Sequence, residues 1–290
     1  MRVLVNPAAG GGRAGKLAAR WLDGLDVDVR TTVGPEHATA LVRAGREAGE
    51  SVFVAVGGDG TLFEVVNGAL SAGSGRPTVG ILPLGTGNSF GRDIGVNGPE
   101  DARRALEDRT TRTVDVLRLV HDDGELFSIN LTGLGFSAAA GSLTNRRFKR
   151  FGAFGYVFAV LVELSRLSAP VVRYRVDGAD WVTEPLVMLS LCNSQYTGGA
   201  MQMAPGAAID DGRLDLVRLG PMSRTAFLRA FPKIFAGTHL DLPNAGLVRC
   251  TGVDLDLPGP VDVMIDGEVR SLRLTRVEVL PGALEVLCPT

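Results

Sequence analysis

Four short apolar runs alternate with helix-like stretches in the first third of the chain, and this alternation restricts the fold more than any other feature. The runs are RVLVN (2–6), VDVRTT (27–32), SVFVAV (51–56) and TVGILP (78–83), and the helix-like stretches lie near 15–24, 36–48, 61–72 and 99–108. Strands spaced by helices in this way form βαβ units and a parallel sheet. Right-handed crossovers then bring the C-terminal ends of the strands to one edge. Open α/β sheets bind their ligands at that edge.

The pattern changes after TVDVLRLV (113–120). GELFSINLTGLGF, VVRYRVDG, PLVMLSLCN, GRLDLVRL, VDLDLPGPVDVMIDGEVR and LRLTRVEVL alternate at period two, with Gly, Pro and Asp between the runs. Such segments make antiparallel sheets. The expected architecture is an α/β, Rossmann-like N-terminal domain over residues 1–118 and an all-β sandwich over 119–290, with a last strand at about 280–290 that could return to the first domain. A length of 290 residues suits two cores, and 45% hydrophobic residues are enough to fill them. The most apolar window, FGAFGYVFAVLVEL, has Phe151, Phe154 and Phe158 on one helical face. It is too short to span a bilayer and reads as a core helix, with a helix touching lipid as the alternative. Beside it RRFKR (146–150) sets Arg146, Arg147, Lys149 and Arg150, which would suit an anionic membrane surface or a solvated loop.

Composition excludes several classes. A net charge of −2 gives no basic field for nucleic acid. Cys192, Cys250 and Cys288 have no CxxC spacing, and His37, His121 and His239 have no zinc-site spacing. The cysteines therefore read as small buried thiols. The opening RVLVN lacks the pattern of a secretory signal, so a cytoplasmic location is expected.

Three glycine-rich turns follow strands of the first domain. NPAAGGGRAGK (6–16) leaves backbone N–H groups able to face an anion, although it lacks Walker A spacing. GGDGT (57–61) runs from a buried strand into a helix that Thr61 could cap. Taken by itself, Asp59 there is a turn residue. A carboxylate among anion-binding N–H groups otherwise needs a divalent cation or a proton between it and phosphate. PLGTGNSFGRDIG (83–95) supplies Thr86 and Asn88. Three such turns at one sheet edge favour a nucleotide pocket over a chance cluster. Downstream, DGE (266–268) by itself is a hairpin turn, and DDG (210–212) is equally ambiguous.

Taken together, these loops resemble the catalytic domain of the diacylglycerol kinase-like lipid kinases, a superfamily that includes bacterial diacylglycerol kinases and sphingosine and ceramide kinases. The matching positions are Asn6-Pro7 with Gly10, Gly57 to Thr61 with Glu64 and Asn67-Gly68, and Pro83 to Asn88. TGGAMQMAPGAAIDDGRLDLV (197–217) and MIDGEV (264–269) extend the match over nearly the whole chain. The resemblance implies an active site between the two domains, with ATP and Mg²⁺ as cofactors. It implies ATP contacts at Asn6, Pro7, Ala8, Ala9, Gly10, Thr32, Gly58, Asp59, Gly60, Thr61, Leu62, Phe63, Glu64 and Thr86. Asp59 would lie by the transferred phosphate, Glu268 would accept the proton of the lipid hydroxyl with Asp266 beside it, and Asp211 with carbonyls of Ala208 and Arg213 would hold a second, structural Mg²⁺.

The implied activity is phosphorylation of a lipid alcohol at a membrane surface, with diacylglycerol favoured over sphingosine or ceramide, in a protein for which a homodimer is compatible. The chain departs from the family at Ser89, where members often carry Asp, and Asp93 is a candidate substitute. An NAD kinase is the nearest enzyme rival, but no Asn-Glu pair followed by a Gly-Ser-Thr-Ala-type motif stands in the second half. A non-catalytic lipid- or nucleotide-binding protein is the other alternative, and retention of Asp59 and Glu268 argues against it.

Overall fold

The computed structural model describes residues 1–85, 87–143, 160 and 162–290, which form two compact units: Met1–Asp115 with Gly282–Thr290, and Val116–Pro281. Thr86, the RRFKR segment and most of the aromatic window lie outside the described residues.

In the first unit, β1 (Arg2–Val5), α1 (Ala14–Leu22), β2 (Asp28–Thr31), α2 (His37–Glu47), β3 (Val52–Gly57), α3 (Asp59–Leu70), β4 (Thr78–Pro83) and α4 (Pro99–Asp108) alternate as expected. β1 pairs in parallel with β2 and β3, and β3 with β4; the returning chain adds a parallel edge through Glu285 and Val286. Val3, Leu4, Phe53, Val54 and Val56 are fully buried, which is why β1 and β3 read as continuous apolar runs. α4 starts where Pro99 fits the first turn and Glu100 and Asp101 complement its positive end. Sequence placed the start of α3 at Thr61, but Gly58 is its N-cap, in extended conformation, and the helix begins at Asp59. Thr61 is therefore inside the helix and does not cap it.

The far end of α3 is closed by Arg46, which is only 6% exposed. Its Nε donates to the carbonyls of Ala69 and Ala72, Nη1 to Glu50, and Nη2 to Ser74 and Gly75, at 2.7–3.4 Å. A helix end leaves carbonyls without partners, and this guanidinium takes up two of those near the end of α3 and three in the loops beyond. Arg46→Met should lower the stability of the protein by about 3 kcal/mol, because it strands several carbonyls at once. A urea unfolding midpoint within error of wild type would show that the guanidinium is dispensable.

The chain enters the second unit within β5 (Thr111–His121), followed by β6 (Gly124–Ser128), β7 (Leu131–Gly135), α5 (Phe136–Leu143), β8 (Val171–Val176), β9 (Val182–Pro185) and β10 (Met188–Cys192). A two-stranded ribbon, β11 (Tyr196–Thr197) with β12 (Met201–Gln202), precedes β13 (Leu214–Leu219), α6 (Arg224–Ala230), β14 (Ala245–Cys250), β15 (Gly252–Asp256), β16 (Val261–Ile265), β17 (Glu268–Leu272) and β18 (Leu274–Leu287). One antiparallel sheet has the order β14-β13-β10-β7-β16-β17. A second joins β18, β15, β8 and β9, again antiparallel. This is the sandwich-like class expected from the period-two runs.

The charges that alternate along those runs face each other across strands: Arg175 and Arg276 both reach Asp254, at 2.7 and 2.6 Å. Partly exposed pairs of this kind are worth about 0.5 kcal/mol each and chiefly keep the face solvated. Cys192 and Cys250 are buried free thiols, and burial pushes both upward, Cys250 to about 12. Neither offers a thiolate at neutral pH. No helix among the described residues is long and apolar enough to cross a membrane.

Candidate active site

At the strand ends of the first unit the three glycine turns are locked to one another. After β1, Asn6 accepts the Ala8 N–H on Oδ1 and donates through Nδ2 to the Thr61 hydroxyl at 3.2 Å. The chain then turns through Gly10, Gly11 and Gly12, all left-handed. Gly10 (φ 60°) also sits against the third turn: a Cβ there would lie 2.4 Å from the Leu84 carbonyl oxygen. The second and third turns meet backbone to backbone. Gly57 O accepts the N–H groups of Leu84 and Gly85, Asp59 N–H donates to Gly87 O at 3.0 Å, and a Cβ on Gly85 would lie 2.4 Å from Gly58 Cα. Only glycine permits this approach.

Asp59 stands in the first turn of α3, half-buried, at the centre of this floor. Its Oδ1 accepts the Ser89 N–H at 2.9 Å and its Oδ2 the Ser89 hydroxyl at 3.2 Å. The departure at position 89 thus has a physical meaning in this chain. Serine presents two donors to Asp59, where aspartate would place a second carboxylate against it. The Asn88 amide donates to Gly85 O, and its buried Oδ1 has no partner among the described residues.

Other expected nucleotide contacts have different surroundings. Leu62 and Phe63 are core residues, so their side chains are not open to a ligand. Both carboxylate oxygens of Glu64 accept main-chain N–H groups, from Glu36 at 3.1 Å and from Ala38 at 3.0 Å, closing the start of α2. Thr32 is buried just past β2, its N–H bonded to Val5 O. Pro7 and Ala8 are exposed, and Ala9 and Gly10 half-buried.

In the second unit, Asp266 and Gly267 form the turn between β16 and β17, with φ of 49° and 89°. Two left-handed residues in succession are the type I′ hairpin that Asp-Gly favours. Asp266 is also a clamp. At 4% exposure its Oδ1 accepts from the Ser128 hydroxyl (2.6 Å) and from the N–H groups of Asn130 (2.9 Å) and Leu131 (3.0 Å), while Oδ2 accepts from Ile129 N–H (2.9 Å). Burial pushes its pKa upward, and the four donors oppose that shift. Asn130 is held in turn: its carbonyl accepts the N–H groups of Asn193 and Ser194, and Asn193 Nδ2 donates to Ile129 O.

Glu268 opens β17 opposite Ile265 and is half-buried. Of the two acids in DGE, Asp266 is saturated by donors from the Ser128–Leu131 link, and Glu268 stands two residues on at the start of β17. The residues missed from sequence are Ser128, Asn130, Asn193 and Ser194, all buried; their signal is a small polar run closing an apolar strand, in FSIN and LCNS. Asp211 lies on an exposed turn, where its Oδ1 accepts the Arg213 N–H at 3.0 Å. The second unit also holds an apolar pocket, partly open to solvent, lined by Met188, Met201, Met203, Phe227, Ile234 and His239 among others.

Two family descriptions cover the chain: a diacylglycerol kinase catalytic domain over residues 1–119, and a YegS C-terminal NAD kinase beta sandwich-like domain over 130–288. A diacylglycerol kinase of Mycobacterium tuberculosis is 33% identical, with 99% of this chain and 94% of the relative aligned. A crystal structure of a diacylglycerol kinase from Bacillus anthracis superposes with a TM-score of 0.74 at 22% identity, covering 99% of this chain and 96% of that one. An NAD kinase from Archaeoglobus fulgidus, solved with ATP, shares the fold at a TM-score of 0.53 and 14% identity, covering 99% and 93%. With the interlocked glycine turns around Asp59 and a match that runs from the first strand to the last, the chain belongs to the diacylglycerol kinase-like lipid kinase family.

Proposed function

We propose that the protein transfers the γ-phosphoryl group of ATP to the hydroxyl of a lipid alcohol, with diacylglycerol the foremost acceptor and phosphatidic acid the product. The observation that carries this reading is the placement of Asp59 on a floor of three interlocked glycine turns, at the strand ends of a parallel sheet. Main-chain N–H groups in such turns attract phosphate, and family membership supports ATP as the donor. The apolar cavity in the second unit supports a lipid as the acceptor.

Phosphoryl transfer is a matter of positioning and charge. A bond forms between the lipid oxygen and the γ-phosphorus, the bond from that phosphorus to the β,γ-bridging oxygen breaks, and ADP leaves. The hydroxyl proton passes to the Glu268 carboxylate and from there to water. Asp266 does not take part in that transfer; it positions Glu268 by anchoring the turn on which both lie. The nucleotide is held by Asn6 to Gly10, Thr32 and Gly58 to Thr61, with Thr86 as a further contact. Leu62, Phe63 and Glu64 act from behind, as core and as helix cap.

Asp59 fits a magnesium ion held mainly by nucleotide phosphates and water. Such ions take one or two carboxylates, and no cluster of three ligating side chains occurs among the described residues. When bound, the ion would neutralise charge on the phosphoryl oxygens. Asp211 and the carbonyls of Ala208 and Arg213 are all oxygen donors, which suit a second hard cation. The test is incubation with γ-labelled ATP and, separately, diacylglycerol, sphingosine and ceramide, followed by thin-layer separation. Label at the mobility of phosphatidic acid is expected; label on none of the lipids would overturn the reading.

A further inference from the structure

We propose that His239 is a specificity residue that reads a second hydrogen-bond donor, a hydroxyl or an amide N–H, on the lipid acceptor; this rests on the lipid kinase reading above. His239 lines the apolar cavity and is only 8% exposed. Its Nε2 lies 3.1 Å from the carbonyl oxygen of Met203. A carbonyl oxygen can only accept, so Nε2 carries the proton. In a neutral imidazole the other nitrogen is then a bare acceptor. Burial lowers the pKa of the ring and so keeps it neutral.

That acceptor, Nδ1, is buried and has no hydrogen-bond partner among the described residues. The other polar side chains lining the cavity are engaged. Ser137 Oγ donates to Leu134 O at 3.3 Å, and Arg218 Nη1 reaches Glu184 at 3.3 Å. A buried acceptor without a donor is unfavourable, and a ligand that brings one removes the penalty. The rest of the cavity wall is mostly methionine, phenylalanine and aliphatic carbon, which sorts lipids by size and hardly by polarity. His239 is thus the polar group left to discriminate between them.

The donor count sets which acceptors His239 can distinguish from a diacylglycerol. A diacylglycerol has one donor, the hydroxyl that reacts. A monoacylglycerol has a further hydroxyl, and an N-acyl sphingoid base has a further hydroxyl and an amide N–H. Two matched pairs test the idea: 1-oleoylglycerol against its 2-O-methyl ether, and N-oleoylsphingosine against its N-methyl, 3-O-methyl derivative, each phosphorylated by the wild-type protein with labelled ATP.

The donor-bearing member of at least one pair should show a kcat/KM higher by about tenfold. In His239→Phe that ratio should fall to about one while transfer to dioleoylglycerol continues. His239→Leu provides the same comparison if the Phe variant does not fold. Wild-type ratios near one in both pairs, or a ratio that persists in the variants, would overturn the role of His239 and leave the kinase reading intact. Transfer to no lipid at all would overturn both.

Discussion

Asp59→Asn should lower phosphoryl transfer on the order of 10³-fold while ATP still binds and the fold is kept. The exchange keeps the shape of the side chain and its acceptor for the Ser89 N–H, and the Ser89 hydroxyl can rotate to accept from the new amide. What disappears is the negative charge that a metal-bound phosphate requires. Because both contacts with the buried Ser89 are kept, the urea midpoint should move little. Initial rates with labelled ATP, alongside nucleotide titration and urea unfolding, separate these effects. Wild-type turnover in Asp59→Asn would remove Asp59 from the reaction.

Glu268→Gln should also cripple the enzyme, by about 10²- to 10⁴-fold in kcat, the range for loss of a positioned general base. It does so for a different reason, since glutamine cannot take the hydroxyl proton. ATP affinity should be unchanged, because Glu268 belongs to the second unit and the glycine turns to the first. Asp266→Asn is the informative contrast. Its carboxylate holds four donors, and an amide would turn an N–H group toward one of them. That variant should lose stability, by about 3 kcal/mol, along with activity. If Asp266→Asn kept full stability and only Glu268→Gln retained turnover, the roles assigned to the two acids would be exchanged.

Much of this was legible in the residues because the strands are short, apolar and regularly spaced. β1 to β4 and α4 stand within a residue or two of where their patterns put them; in β1, β3 and β4 near-complete burial leaves little room for another reading, while the exposed edge strand β2 is placed by the alternation around it. Local turn chemistry was legible as well: Asp266-Gly267 is the hairpin its dipeptide suggests. What periodicity could not convey were contacts between residues distant in sequence. Glu64 looked like a nucleotide contact within a glycine-rich motif, yet it closes the start of α2, some 26 residues away. Asp266 and the Ser128–Leu131 link are separated by 135 to 138 positions, and nothing in DGE signals that one acid is saturated. Ser89 is the intermediate case. The departure from the family pattern marked the position, but only geometry shows it serving Asp59.

The most direct test of the central claim is a competition in one vessel. The wild-type protein is given γ-labelled ATP together with dioleoylglycerol in mixed micelles and NAD at equal concentration, and the labelled products are identified by mass. The account predicts phosphatidic acid as the labelled product, with NAD unchanged and the label absent in the Asp59→Asn control. Labelled NADP without labelled lipid would contradict it.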